Sequence, residues 1–193
     1  RVLRFEQNRG KAEAVRRGLR TALDSGAEIV GYLDADLSAP IDEIVRIASI
    51  VEPGVRDVVV GSRVLLLGAL IQRSVLRHYL GRVFATAASL VLGIPVYDTQ
   101  CGAKCFASHP SLDAALGRPF VAGWAFDVEL LGRLARGMDG AAPVALQQFA
   151  EVPLRRWVHV GGSKVRPLDV PRMAIELLRI QRHLSSLERD ARR

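Results

Sequence analysis

The chain has 193 residues, 49% hydrophobic and 24% charged, a globular balance that excludes a disordered polypeptide and allows a sizeable core. The longest apolar stretches, "VLLLGALI" and "FATAASLVLGIPV", fall short of the roughly eighteen residues that a bilayer span needs. A net charge of +7, from 24 Arg and 3 Lys against 20 acidic residues, favours anionic partners such as phosphates or acidic lipid headgroups. Nucleic acid is not expected among them, because aromatics are only 6% and no basic run is interleaved with stacking rings. Cys101 and Cys105 are too few for a disulfide scaffold or a closed zinc site and read as reduced thiols. The opening "RVLRFEQNRG" has neither an initiator Met nor a signal-peptide design, so the sequence reads as a fragment or processed piece.

Residues 11–25 predict a helix closed by Gly26 at its C-terminus. Residues 28–33 ("EIVGYL") and 57–62 ("DVVVGS") are short β-branched runs of the kind that form buried parallel strands. Between them, Ser38 is placed to cap a helix with Pro40, Asp42 and Glu43 in its first turn. That helix would have Ile41, Ile44, Val45, Ala48 and Val51 on its apolar face, and Pro53-Gly54 as its stop. A longer helix is expected over 72–92, with Arg73, Arg77, His78 and Arg82 as its basic members. Lys104 alternates with Cys105 and Phe106 in a strand, where it could be solvated. Residues 125–136 predict another helix with Asp127 near its start, and 145–158 one or two strands around Pro153. The final helix, 170–189, is amphipathic, with Val170, Met173, Ala174, Leu177, Leu178 and Leu184 as its stripe and Arg172, Arg179, Arg182 and Arg189 away from it. Such a helix either docks on the sheet or lies on a membrane surface. The strand–helix–strand order argues for an α/β sandwich, with no repeat or internal domain boundary.

The stretch "VGYLDADLSAP" (30–40) ends the first apolar run with Asp34 and Asp36, one residue apart. At the carboxyl end of a strand two such carboxylates can reach a common point where open α/β sheets bind ligands. Their hard oxygens suit Mg²⁺ or Mn²⁺ shared with substrate phosphates. The spacing alone favours an acidic turn-and-cap role, since Asp is common where strands end. Other residues shift the weighting. Asn8, Gly10 and Lys11 stand at a helix start, where backbone N–H groups and an ammonium attract phosphate. Arg63 follows the second strand in "GSR", Asp98 and Gln100 lie in "DTQCG", and "GGSK" ends on Lys164. The four histidines, His78, His109, His159 and His183, share no ligand spacing and read as structural or solvent-facing.

The order N-x-G-K, DADLS-x-P, GSR, DTQCG-x-K-x-F, FDVELL, EVP, W and GSKV resembles the inverting GT-A glycosyltransferases of family 2, and within them the dolichyl- or polyprenyl-phosphate glucosyltransferases and mannosyltransferases. The resemblance spans nearly the whole chain. It implies an α/β GT-A fold, a Rossmann-like sandwich with a mostly parallel sheet, as one domain over 1–193 truncated at its first strand. It also implies transfer of a hexose, glucose by preference, from a UDP- or GDP-sugar to a polyprenyl or dolichyl phosphate. The cofactor would be Mg²⁺ or Mn²⁺. The place would be the cytoplasmic face of a membrane, reached peripherally or through an anchor outside this sequence. By the same resemblance Asp34, with Ala35, would hold the nucleotide side and Asp36 the metal, with Asp34 beside it. Lys11 would meet the donor, Arg63 and Arg77 the acceptor phosphate, and Asp98 and Gln100 the acceptor and sugar pocket. Ser163 and Lys164 would close over the donor phosphates, and Asp127 with Asp36 would be the catalytic pair.

Two departures stand out: Ala12 follows the helix-start Lys where Gly is common, and Val158 stands where some relatives carry Arg. Asp127 is the candidate base, with Glu129 as its rival on a nearly opposite helix face. A phosphate monoester, with a second pKa of about 6, hardly needs one, so Asp127 is expected to position groups more than to take a proton. Three alternatives remain open. One is another acceptor within the family. Another is a haloacid-dehalogenase-like phosphohydrolase, which also places D-x-D after a strand but commonly has Thr or Val where Ser38 stands. The last is a non-catalytic anion- or membrane-binding module.

Overall fold

A computed structural model describes residues 2–72, 75–158 and 170–190, with backbone alone for 72, 75–78, 170 and 190. Arg73, His159, Ser163 and Lys164 lie outside the described residues, as do the side chains of Arg77 and His78.

The first helix, α1 (Gly10–Asp24), ends as its sequence demands. Gly26 adopts a φ of +85°, its N–H donates to Leu23 O, and the Ala27 N–H reaches back to Ala22 O. This pairing satisfies carbonyls that the last turn would otherwise leave open. Strand β1 (Ile29–Leu33) leads into the Asp34 turn, and α2 (Ile41–Ala48) follows. Ser38 does not cap α2. Pro40 occupies the cap position without a side-chain hydrogen bond. The Ser38 N–H instead donates to Asp36 Oδ1 at 2.9 Å, and its carbonyl accepts the Val158 N–H. The α2 stripe is also rotated from expectation. Ile41 and Val45 are exposed, while Ile47, at 0% exposure, is the deep residue. The reason is Glu43, which is buried because it accepts the Arg155 and Arg156 N–H groups at 2.9 and 3.1 Å and pairs with Arg46.

Strand β2 (Val58–Ser62) is buried throughout. A short β3 (Leu70–Gln72) precedes α3 (Val75–Leu92). Then come β4 (Ala103–Ala107), α4 (Pro110–Gly117), α5 (Phe126–Arg136), β5 (Phe149–Pro153), β6 (Arg156–Val158) and α6 (Val170–Asp190). α4 starts with His109 as cap, its Nδ1 accepting the Ser111 N–H, which gives that histidine a structural role. The main sheet has the order β1-β4-β2-β5, with a separate β3–β6 pair. β1, β2 and β5 run in one direction, but β4 lies antiparallel between β1 and β2. The two early strands are therefore parallel in direction without being neighbours.

Alternation along the strands divides the core. Val58, Val60 and Phe106 face a large cluster shared with α3, α4, α5 and α6, while Val59, Ala103 and Cys105 face α2. α6 docks on α3 and α5 rather than on the sheet. Its buried line is Leu177, Ile180 and Leu184, flanked by Met173 and Leu187, whereas Leu178 is exposed. Gly132 fixes how close α6 comes: a Cβ there would lie 2.4 Å from Leu184 Cδ1. Full burial of each such aliphatic side chain stabilises by about 1.5–3 kcal/mol, so docking on the core accounts for this stripe.

Candidate active site

The carboxyl ends of β1 and β2 open on the same edge of the sheet, and the turn before β4 comes between them. Asp34 leaves β1 with its N–H donating to Gly102 O at 2.8 Å, and its carbonyl accepts the Leu37 N–H to close a turn. Leu37 takes a φ of +53° there, an unfavourable backbone for a branched side chain. The Asp34 carboxylate lies flat against the Gly102 backbone. A Cβ on Gly102 would fall 2.1 Å from both Asp34 Cγ and Oδ2, so glycine is required by contact. Lys11 Nζ, on the first turn of α1, stands 2.6 Å from Asp34 Oδ1. This is an ion pair rather than an aligned hydrogen bond. Lys11 also sits over the Phe126 ring at 5.6 Å, so α1, β1 and α5 meet at this point. Ala35 and Asp36 are exposed, with Asp36 Oδ1 engaged by Ser38.

Arg63, at the end of β2, is committed to Asp98. Its backbone N–H and Nε donate to Asp98 Oδ2 at 3.1 and 2.7 Å, and Nη2 donates to Oδ1 at 2.8 Å. Glu151 of β5 holds the same turn by accepting the Tyr97 and Asp98 N–H groups at 2.8 and 2.7 Å. Burial alone would raise the Asp98 carboxyl. The adjacent Arg63 guanidinium outweighs it and holds the group below its ordinary value. Burial, with the Asp98 carboxylate adding to it, pushes the Cys101 thiol up to about 12, consistent with an inert packing residue. Gln100 is half-buried, and its Nε2 has no acceptor among the described residues.

Lys104 is not solvated. It is 0% exposed, with Nζ 2.5 Å from both Cys101 O and Asp127 Oδ1. The alternation that places Cys105 toward α2 turns Lys104, like Phe106, toward α5. Tyr32, directly opposite Lys104 in the β1–β4 register, donates its hydroxyl to the same Asp127 oxygen. Burial first, and then the Asp127 carboxylate, raise the Tyr32 phenol well above its usual value. Glu129 faces away from this cluster: it pairs with Arg133 at 2.6 Å and accepts the Val121 and Ala122 N–H groups. The structure thus brings together Lys11, Asp34, Arg63, Asp98 and Asp127, with Asp36 and Gln100 on the open side. Tyr32 and Glu151 were not singled out in the sequence. Only the apolar alternation around Tyr32, and the single acid in "AEVP" for Glu151, could have signalled them.

Among the described residues no group of three or more His, Cys, Asp or Glu could hold a metal by itself. Two hard carboxylates share one turn: Asp36 is exposed, and Asp34 is about a third exposed with its Oδ1 buried against Lys11. This donor set suits a small divalent cation that takes its other ligands from phosphate and water.

A model of glycosyl transferase family 2 matches residues 1–103. The chain is 33% identical to a dolichyl-phosphate beta-glucosyltransferase of Trichomonas vaginalis, over 93% of this chain and 51% of that protein. It is 31% identical to the dolichyl-phosphate beta-glucosyltransferase of Saccharomyces cerevisiae, over 98% of this chain and 57% of that protein. The human protein of the same name is 28% identical over 86% of this chain and 49% of its own length. The chain therefore spans about half the length of the curated relatives it matches. Among solved structures, glucosyl-3-phosphoglycerate synthase from Mycobacterium tuberculosis, in complex with uridine diphosphate, superimposes over 93% of this chain and 56% of that one. The TM-score is 0.58 at 22% identity, so the two share the GT-A fold.

Proposed function

Because the chain belongs to glycosyl transferase family 2, we propose that it carries the reaction site of an inverting transferase moving glucose from a nucleotide diphosphate sugar to a polyprenyl or dolichyl phosphate. The observation that carries this reading is the convergence of Lys11 and Asp34 with the Arg63–Asp98 pair at one edge of the sheet. Family membership, with a match that includes the D-x-D turn, removes the phosphohydrolase alternative.

Asp34 and Asp36 would hold Mg²⁺ or Mn²⁺. The bound cation would neutralise charge developing on the departing diphosphate. Lys11 neutralises Asp34 in the free protein and lies within reach of a phosphate shared at that turn. Asp98, buried and ionised, has both oxygens taken by Arg63 and the Gln100 N–H, so it fixes the floor of the pocket and the position of Arg63 beneath the acceptor. An acceptor phosphate with a second pKa of about 6 is largely deprotonated at neutral pH. Its oxygen attacks the anomeric carbon in line without a strong base. Ser163, Lys164 and Arg77 complete the proposed donor and acceptor contacts.

The membrane surface is the proposed place of action. No helix among the described residues is long and apolar enough to cross a membrane. Large apolar side chains are nevertheless exposed at Leu65, Leu66, Leu67 and Leu70. Tyr79, Val83 and Leu90 form a further exposed line at helical spacing on α3. A net charge of +7 supports adsorption to an acidic lipid surface, in this reading that of the cytoplasmic leaflet.

The test uses the full-length protein with short polyprenyl phosphates, UDP- and GDP-hexoses, and Mn²⁺, Mg²⁺ or EDTA. Glucose transfer that EDTA abolishes, and that Asp34→Asn lowers roughly 10²–10³-fold, is the expected result. Absence of transfer from every donor would overturn the reading.

A further inference from the structure

We propose that Lys104 is a positioning residue of this site, a buried cation that locks α5, β1 and the 98–102 turn to one another and never meets substrate. The proposal goes beyond the transferase reading and leans on it for two of its readouts, nucleotide binding and transfer.

An ammonium taken fully out of water loses several kcal/mol of solvation, which a pairing partner at best offsets. An apolar side chain of similar length would fill the same volume between Phe106 and α5 without that penalty. What an apolar side chain could not do is donate in two directions at once. Lys104 Nζ does so, to Cys101 O and to Asp127 Oδ1, each at 2.5 Å. Its ammonium also lies 5.4 Å from the Tyr32 ring centroid, a distance at which the ring face attracts a cation.

Each partner leads directly to a residue of the site. Cys101 precedes Gly102, whose carbonyl takes the Asp34 N–H and whose bare Cα leaves space for the Asp34 carboxylate. Three residues before Cys101 stands Asp98, whose Oδ1 accepts both Arg63 and the Gln100 N–H. Asp127 sits on the first turn of α5, next to Phe126, over which Lys11 lies. Tyr32 is two residues before Asp34 and donates to the Asp127 oxygen that Lys104 also reaches. The open carboxylates at the rim are thus registered to the deep turn through one buried nitrogen. That nitrogen has 0% exposure and no path to a ligand, so its effect on chemistry is exerted through these neighbours.

The experiment compares the full-length protein with Lys104→Met and with the double variant Lys104→Met/Asp127→Leu. Four quantities are measured: thermal midpoint, hydrogen exchange of the 98–102 segment, binding of UDP with Mn²⁺, and transfer kinetics. Lys104→Met alone leaves Asp127 with the Tyr32 hydroxyl but no counter-charge and lowers the midpoint. The double variant removes both charges, so its midpoint returns toward that of the wild type. A purely structural pair predicts that exchange returns with it. Under the proposal, the double variant instead keeps exchange over 98–102 at least tenfold faster, with UDP affinity within threefold, and wild-type exchange in the folded double variant overturns the proposal. Transfer is read on Lys104→Gln, which keeps Asp127: kcat at least tenfold lower is expected, and kcat within threefold of the wild type overturns the proposal. If the double variant does not fold, Lys104→Gln is judged by the exchange criterion as well, because it keeps a donor and loses the charge. If the wild type itself transfers no sugar, the transferase reading fails and exchange alone decides on Lys104.

Discussion

The outer and inner halves of the site are built on opposite principles. On the outer side Asp34 and Asp36 share one turn at the rim, Asp34 paired with the half-exposed Lys11 and Asp36 exposed, with only the Ser38 N–H on its Oδ1. On the inner side every charge has a fixed partner: Asp98 is held by Arg63, and Asp127 by Lys104 and Tyr32. Carboxylates left open can recruit a cation and a phosphate. Carboxylates already saturated can only present a shape. The contrast separates groups that bind from groups that define where binding happens.

The contrast can be broken most forcefully from the inside. Asp98→Ala strands the Arg63 guanidinium, and loss of one partner from a buried pair costs about 3 kcal/mol. Urea denaturation should read this directly, together with loss of transfer. Gly102→Ala strikes the seam between the halves. Its methyl would occupy space held by the Asp34 carboxylate, and a local shift of this kind costs about 2 kcal/mol. Calorimetry should show UDP–Mn²⁺ affinity falling more than stability does.

Acid sharpens the comparison further. The folded Asp98 carboxyl lies below its ordinary value of 3.8. Its contribution is therefore complete above that value and is lost as pH falls through the lower folded one. The stability gap between wild type and Asp98→Ala should stay constant from neutrality to about pH 5 and narrow below about pH 4. Asp36→Asn should have the smallest effect on folding, under about 0.5 kcal/mol for an exposed side chain. It should still weaken Mn²⁺-dependent nucleotide binding by roughly tenfold, about 1.4 kcal/mol. Equal losses of stability from Asp36→Asn and Asp98→Ala would dissolve the distinction.

What could be read in the sequence was local. Gly26 announced the end of α1, "DVVVGS" a buried strand, and the acidic first turn the start of α5. The D-x-D turn and its cationic neighbours marked the outer half of the site. The inner half was not legible, because its pairings are long-range. Lys104 in an alternating strand looks solvated until β4 is known to lie between β1 and β2, with α5 covering that face. The same gap explains α2, where Glu43 displaces Ile41 and Val45 from the expected apolar face because its partners are backbone N–H groups more than a hundred residues away. On α6 the stripe was rotated, since the surface it meets is two helices whose spacing Gly132 sets, rather than a sheet.

The loop from Val121 to Ala125 is held by charge rather than by a regular element. Four of its amides end on two buried carboxylates, Glu129 for Val121 and Ala122 and Glu176 for Trp124 and Ala125. Each hydrogen bond to a charged group is worth about 1.5–3 kcal/mol, so releasing all four would cost on the order of 6 kcal/mol or more. At roughly 1.4 kcal/mol per factor of ten, fewer than about one molecule in ten thousand would have this loop open. The loop is thereby pinned to α5 through Glu129 and to α6 through Glu176, and any opening of the molecule has to come from other segments.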